Sequence, residues 1–150
     1  MLTTKRTDSS YPDFALLIKE LDKDLNERYG LAQAEYSPLN KVDAIKNVVV
    51  VYYGGQPAGC GCFKRFGDNF VEMKRVFVDT QHRNKGIATN VMAELEKWAA
   101  EEGYSRAVLE TGTRQHEAIK LYEKIGYRKI PNFPPYDEME FSVCYEKRLG

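Results

Sequence analysis

Between residues 76 and 89 the chain reads Val76-Phe77-Val78-Asp79-Thr80-Gln81-His82-Arg83-Asn84-Lys85-Gly86-Ile87-Ala88-Thr89. A strand-like run passes through a polar, basic loop with a glycine and enters a stretch with helical apolar spacing. The first N–H groups of a helix have no acceptor within it, and the helix dipole makes that end positive. Gly86 lets an anion approach the backbone, Ala88 keeps the first turn narrow, and Arg83 and Lys85 add charge. Such a turn suits a pyrophosphate; plain helix capping is the simpler use of the same residues. The turn is not a Walker loop, which needs Gly-Lys-Ser/Thr with an upstream glycine. It is not a dinucleotide fingerprint either, because no G-x-G-x-x-G follows the first strand.

Three further side chains could move protons or hold charge. Glu72 lies in Val71-Glu72-Met73-Lys74-Arg75-Val76-Phe77-Val78, where strand alternation places it on the face of Lys74, Val76 and Val78. Pairing with Lys74 is one use for it. Glu110 closes Leu109-Glu110-Thr111-Gly112, where a carboxylate binds an ammonium, accepts a proton or pairs with a nearby Arg or Lys. Tyr122 has apolar neighbours at helical spacing, so core packing competes with a proton-donor role.

The elements that must position these groups follow from periodicity. Phe14, Leu17, Ile18, Leu21 and Leu25 predict an amphipathic helix over Pro12 to Arg28, with Pro12 in its first turn and Gly30 past its end. A short strand is expected near Leu2 to Arg6, and residues 31 to 47 read as a loop with a helical turn near Val42 to Ile45. Val48 to Tyr53, Pro57 to Phe66 and Phe70 to Val78 predict an antiparallel meander, turned at Gly54-Gly55 and Gly67-Asp68-Asn69. Ile87, Ala88, Val91, Met92, Leu95, Trp98 and Ala99 mark a second helix ending near Gly103. A strand at Ala107 to Thr111, a helix from Gln115 to Ile125 stopped by Gly126, and a strand at Phe141 to Lys147 complete the order. The fold class is mixed α/β, one domain over residues 1–150, with helices packed on a central sheet.

Composition narrows the function. Lys plus Arg equals Asp plus Glu at 22 each, which argues against a nucleic-acid partner and against attraction to anionic membrane. The first residues lack the apolar run of a signal peptide, and Cys60, Cys62 and Cys144 are odd in number. Both features fit a reducing cytoplasm. Cys60 and Cys62 share one side of a strand and read as packing thiols. No second Cys/His pair stands at zinc spacing, so no metal is expected.

Arg83-Asn84-Lys85-Gly86-Ile87-Ala88 resembles the pyrophosphate signature Gln/Arg-x-x-Gly-x-Gly/Ala of the GNAT superfamily of acetyl-CoA-dependent N-acetyltransferases. Gln115-His116-Glu117-Ala118-Ile119-Lys120-Leu121-Tyr122-Glu123-Lys124-Ile125-Gly126-Tyr127 is similar to a second signature, Asn-x-x-Ala-x-x-Leu-Tyr-x-x-x-Gly-Phe/Tyr, with Gln115 in place of Asn. The resemblance covers nearly the whole chain, from about residue 2 to 149.

The resemblance implies a mostly antiparallel sheet with a splayed strand pair, the pantetheine arm lying between the strand ending at Val78 and strand 107–111. It implies acetyl-CoA as cosubstrate, held by Phe77, Val78, Arg83, Asn84, Lys85, Gly86, Ile87, Ala88, Thr89, Gln115 and Lys124. Transfer to a primary amine of a small molecule passes through a tetrahedral intermediate, with Tyr122 as acid and Glu72 or water as base. Glu72 precedes Arg83 by 11 residues, the spacing of the catalytic glutamate in the histone-acetylating branch. A backbone N–H of Phe77 or Val78 is the expected oxyanion donor. Tyr29, Glu35, Tyr36 and Asn40 fall on one wall of the acceptor pocket and the proline-rich loop Pro131 to Glu138, with Tyr136, on the other; Glu110 is a second carboxylate for binding the substrate ammonium or sharing the base role. The resemblance also leaves open a protein Lys or N-terminal acceptor and a coenzyme A-binding sensor without turnover. Homodimers are common in the family.

Overall fold

The computed structural model describes residues 1–30 and 44–150. The described elements run β1 (Leu2–Thr7), α1 (Pro12–Tyr29), β2 (Asn47–Tyr53), β3 (Gln56–Arg65) and β4 (Phe70–Val78), followed by a single 3-10 turn at Thr80–His82. They continue with α2 (Ile87–Glu101), β5 (Arg106–Gly112), α3 (His116–Lys124), β6 (Arg128–Ile130) and β7 (Ser142–Arg148). The sheet order is β1-β2-β3-β4-β5-β7-β6. Each neighbouring pair is antiparallel except β4–β5, which is parallel. Of these elements, β6 was not expected; its three residues carry no period and exist by pairing with β7. The expected turn near Val42 lies outside the described residues in large part.

Val48 to Val51 are wholly buried because both faces of the sheet are covered. Val48 and Val50 pack with Cys60, Cys62, Phe77 and the α1 residues Phe14, Leu17, Leu21 and Leu25. Val49 and Val51 pack with Val71, Met73 and the α2 residues Ile87, Val91, Met92 and Leu95. The run of valines is thus one strand feeding two cores.

Two irregularities in β4 position the site. Cys62 pairs with Lys74 and Cys60 with Phe77, so Gly61 faces two residues, Arg75 and Val76. This is a β-bulge, and Arg75 takes the left-handed conformation (φ 57°), which costs a non-glycine residue about 1–2 kcal/mol. The bulge corrects the alternation read from sequence. Val71, Met73, Val76 and Val78 all face the α2 core while Phe77 faces α1. Glu72 and Lys74 therefore lie on the α1 side, opposite to Val76 and Val78. Secondly, β4 and β5 pair only from Phe70–Arg106 to Met73–Leu109. Beyond that point the strands separate, as the resemblance implies.

The seat of α2 depends on two glycines of β3. A Cβ on Gly59 would lie 2.6 Å from Ile87 Cγ2, and one on Gly61 would lie 2.8 Å from Val91 Cγ1 and 2.9 Å from Leu95 Cδ1. Small residues here let the helix lie close to the sheet and set the height of its N-terminus. Gly59→Val is expected to lower stability by roughly 1–3 kcal/mol through overpacking, read from the urea unfolding midpoint. An unchanged midpoint would mean that α2 is not held by this contact.

Candidate active site

The N-terminus of α2 opens into a groove lined by Val76, Phe77, Val78, His82, Arg83, Asn84, Gly86, Ile87, Ala88 and Thr89, with Gln115, Ala118 and Leu121 opposite. Gly86 is the N-cap, in the left-handed region (φ 74°, ψ 15°), and no side chain caps the helix. Asn90 donates to the Gly86 carbonyl through its backbone N–H (3.1 Å) and Nδ2 (3.2 Å). The N–H groups of Ile87, Ala88 and Thr89, which precede this bond, have no acceptor within the helix. Nothing stands within 4 Å of a Cβ built on Gly86, so the space above those amides is open.

Arg83 Nε donates to the Val78 carbonyl at 3.3 Å, tying the loop to the end of β4. His82 and Asp79 are joined at 3.2 Å. Asp24 and Glu117 also line the groove, and Arg28 pairs with both, which offsets their charge beside the α2 amides. Free amides, an open glycine and a tethered arginine fit a diphosphate. Lys85 and Lys124 do not line the groove. The Lys85 ammonium lies 4.9 Å from the Tyr53 ring centroid, and Lys124 is exposed.

Past Val76 the groove meets a second cleft in the fork between β4 and β5. Its walls are Met73, Lys74, Arg75 and Val76 on one arm and Glu110, Thr111 and Gly112 on the other, with Leu21, Leu25, Tyr29 and Phe141 around them. Leu21, Val76, Gln115, Ala118 and Tyr122 belong to both spaces, so Tyr122 stands at their junction. Its hydroxyl hydrogen-bonds to none of the described residues. Burial, with a smaller effect of the Glu110 charge, raises the phenol above its ordinary range. It stays protonated at neutral pH.

Gln115 holds the end of β5. Its Oε1 accepts from the Gly112 N–H at 2.9 Å and from the Thr111 hydroxyl at 3.4 Å. An N–H must face an oxygen, which fixes the orientation of the amide. A Cβ on Gly112 would fall 1.6 Å from the Tyr29 hydroxyl, and that hydroxyl accepts from Arg114 N at 3.2 Å. The end of α1 is therefore pressed directly onto the β5 backbone.

The two carboxylates occupy different environments. Glu110 lines the cleft and accepts from Ser142 Oγ at 2.7 Å. Burial pushes its pKa up to about 7, assisted by the Glu72 charge and opposed by the Ser142 hydrogen bond and by Lys74. Glu72 is only 3% exposed and does not line the cleft. It lies 3.7 Å from Lys74 Nζ and accepts from the Tyr136 hydroxyl at 3.1 Å, while Lys74 Nζ donates to the same hydroxyl at 3.3 Å. Tyr136 is 2% exposed and is part of this buried triad, outside the cleft wall. Of the residues assigned to the acceptor from sequence, Tyr29 and Glu110 line the cleft. Glu35, Tyr36 and Asn40 lie outside the described residues. Lys74, Arg75, Thr111, Ser142 and Phe141 were missed. Strand-face alternation read through an unseen bulge offered no signal for Arg75, and Ser142 reaches Glu110 only through the β5–β7 pairing. No group of three or more His, Cys, Asp or Glu side chains suited to a metal occurs among the described residues.

The fold, the α2 groove and the forked strands together define a class. Residues 14–127 match the Acetyltransferase (GNAT) family, and the chain belongs to it. This is a family of acyltransferase enzymes with acetyl-CoA as donor. Over 98 residues the chain is 35% identical to the uncharacterized N-acetyltransferase YsnE of Bacillus subtilis (strain 168), spanning 64% of this chain and 65% of that protein. It is 31% identical over 137 residues to the IAA acetyltransferase of Azospirillum brasilense, covering 89% and 88%. Among solved structures, a candidate acyl-CoA N-acyltransferase of Klebsiella pneumoniae superposes with a TM-score of 0.82 at 32% identity, over 100% of this chain and 99% of that one. No described helix is long and apolar enough to cross a membrane.

The raised pKa of Glu110 has a stability consequence. The folded state holds this proton more tightly than the unfolded state, so the group favours folding at low pH. That contribution is lost as pH rises from the ordinary 4.5 through about 7. Glu110→Gln should therefore be more stable than the parent at pH 8, by up to about 3 kcal/mol. The difference should shrink toward zero near pH 4, as measured by urea unfolding across the range. A difference that does not vary with pH would show that Glu110 ionises normally.

Proposed function

We propose that the chain transfers an acetyl group from acetyl-CoA to the primary amine of a small molecule, with Glu110 as the proton acceptor and Tyr122 as the proton donor. The observation that carries this reading is the position of Tyr122, where the groove with the free α2 amides meets the cleft with Glu110. Acetyl-CoA would supply the activated thioester, held by the amides of Ile87, Ala88 and Thr89, by Arg83 and by the edge of β4.

An alkylammonium with a pKa near ~10.4 must lose a proton at a cost of roughly 4 kcal/mol at pH 7. A carboxyl group of pKa about 7 is about half ionised there and close to the optimum for a general base. Glu110 takes that proton; Ser142 holds its carboxylate in place. Glu72 is the weaker candidate, since Lys74 and Tyr136 already occupy it; its charge acts on Glu110 instead. Tyr122, protonated and without a described partner, gives its proton to the departing sulfur. Beyond Met73 the backbone of β4 has no β5 partner, and a backbone N–H of Phe77 or Val78 on that stretch donates to the developing oxyanion.

Leu21, Leu25, Tyr29 and Phe141 wall the cleft, which supports a small acceptor over a protein chain. The three buried free thiols, Cys60, Cys62 and Cys144, fit a reducing compartment such as the cytoplasm. Thiol release from acetyl-CoA over a panel of small amines and lysine peptides tests the reading. Tight binding with no acceptor-dependent release would favour a sensor.

Two further outcomes test the assigned roles. Tyr122→Phe should lower turnover by roughly 10²–10⁴-fold; unchanged turnover would leave Tyr122 a packing residue. The kcat/KM profile should climb with pH through about 7 and level off, and Glu110→Gln should abolish that limb. Glu72→Gln should move the limb to lower pH, because it removes a negative charge that holds the Glu110 proton. Loss of the limb in Glu72→Gln alone would return the base role to Glu72.

A further inference from the structure

We propose that the acceptor carries a carboxylate as well as its amine, and that Arg75 receives that carboxylate; this names the substrate class of the acetyl-transfer reading above and rests on it. The two arms of the fork bear opposite charge. Lys74 and Arg75 follow the last paired residue of β4, and Glu110 follows the last paired residue of β5. All three lie on the α1 side of the sheet. Met73 and Leu109 belong to the α2 core, so their neighbours Lys74 and Glu110 face away from it. Arg75 reaches Asp22 of α1. An ammonium drawn to Glu110 leaves the rest of a small acceptor facing the basic arm.

Of the two cations on that arm, Lys74 is already engaged with Glu72 and Tyr136. Among the described residues, Arg75 has one side-chain partner, Asp22. Its Nη2 donates to Asp22 Oδ1 at 2.6 Å, and that aspartate is half exposed at the edge. The Arg75 side chain is itself 6% exposed, and its Nε is buried without a hydrogen-bond partner among the described residues. An unmet buried donor is costly, more so on a charged group. The same residue also bears the left-handed backbone of the bulge (φ 57°). Two unfavourable features thus coincide at one residue on the cleft wall, where strain is often kept for ligand binding. A guanidinium whose Nε–H is unpaired is matched by a carboxylate, which takes two parallel N–H donors, here that Nε–H and the second hydrogen of Nη2. A ligand with an ammonium for Glu110 and a carboxylate for Arg75 is an amino acid.

The test compares acceptors that differ only in the carboxylate. Acceptor-dependent thiol release is measured for a panel of standard α-amino acids, each against its C-terminal amide and its decarboxylated amine. The α-amine of an amide loses its proton more readily than that of the free amino acid, so intrinsic reactivity favours the amide. The proposal expects at least one free amino acid to be preferred over its amide by about 10²-fold or more in kcat/KM, mainly through a lower KM. Arg75→Gln should collapse that preference toward one, and Arg75→Lys, a charge without the fork, should restore only part of it. Equal use of amino acid and amide by the parent enzyme, turnover of other amines only, or a preference that persists in Arg75→Gln would overturn the proposal. If Arg75→Gln does not fold, the comparison in the parent enzyme decides alone. Absence of turnover with every amine, while acetyl-CoA still binds, would instead sink the acetyl-transfer reading itself.

Discussion

Two parallel strands that stop hydrogen-bonding partway along create a problem that a protein core normally forbids. Past Met73 and Leu109, β4 and β5 each present a polar edge to a gap, and backbone groups withdrawn from water need partners. The bulge at Arg75 stands where the gap opens, two residues beyond the last pair. It removes one residue from the ladder with β3 and reverses which side chains face which layer. The groove and the cleft both exist because of this separation, and Val76, the residue after the bulge, borders both.

Charge within the fork is arranged in two layers. The outer layer is Glu110 with Ser142, where burial holds a proton near neutrality. Beside it, Glu72, Lys74 and Tyr136 form a buried triad in which each polar end meets another, and Lys74 also lines the cleft. Burying an ion pair is a weak source of stability. Its effect on a neighbour is better defined, since Glu72 raises and Lys74 lowers the affinity of Glu110 for its proton. Two carboxylates on adjacent strands thus differ in their surroundings and in their partners.

Much of this fold was legible in the sequence because its signals are local. The valine run, the Gly54-Gly55 turn and the apolar stripes of α1 and α2 each fit within one element, and their boundaries fall within a few residues of those expected. The α2 turn was legible too: Arg83, Asn84, Gly86, Ile87, Ala88 and Thr89 lie within seven positions around one helix start. The cleft was not. Its two charged arms come from strands linked by a whole helix, and their facing depends on a bulge that alternation cannot reveal. Reading period two through Arg75 put Glu72 on the wrong side of Val76. The environment of Glu110 was not legible either, because its bond to Ser142 arises from β7, some 30 residues on.

The position of Tyr122 links these parts. α3 carries it, and the start of α3 is fixed by Gln115, whose amide oxygen binds the last backbone N–H of β5. The end of β5 is pressed in turn by Tyr29 of α1, which fits only because residue 112 has no side chain. On the other side, the α2 amides are set by the close seat of Ile87 on Gly59. The hydroxyl at the junction is therefore referenced to the α2 groove through the sheet and to the cleft in the fork through β5. Such mutual constraint holds two binding spaces at a fixed separation, and a group-transfer site needs that more than it needs any one strong contact.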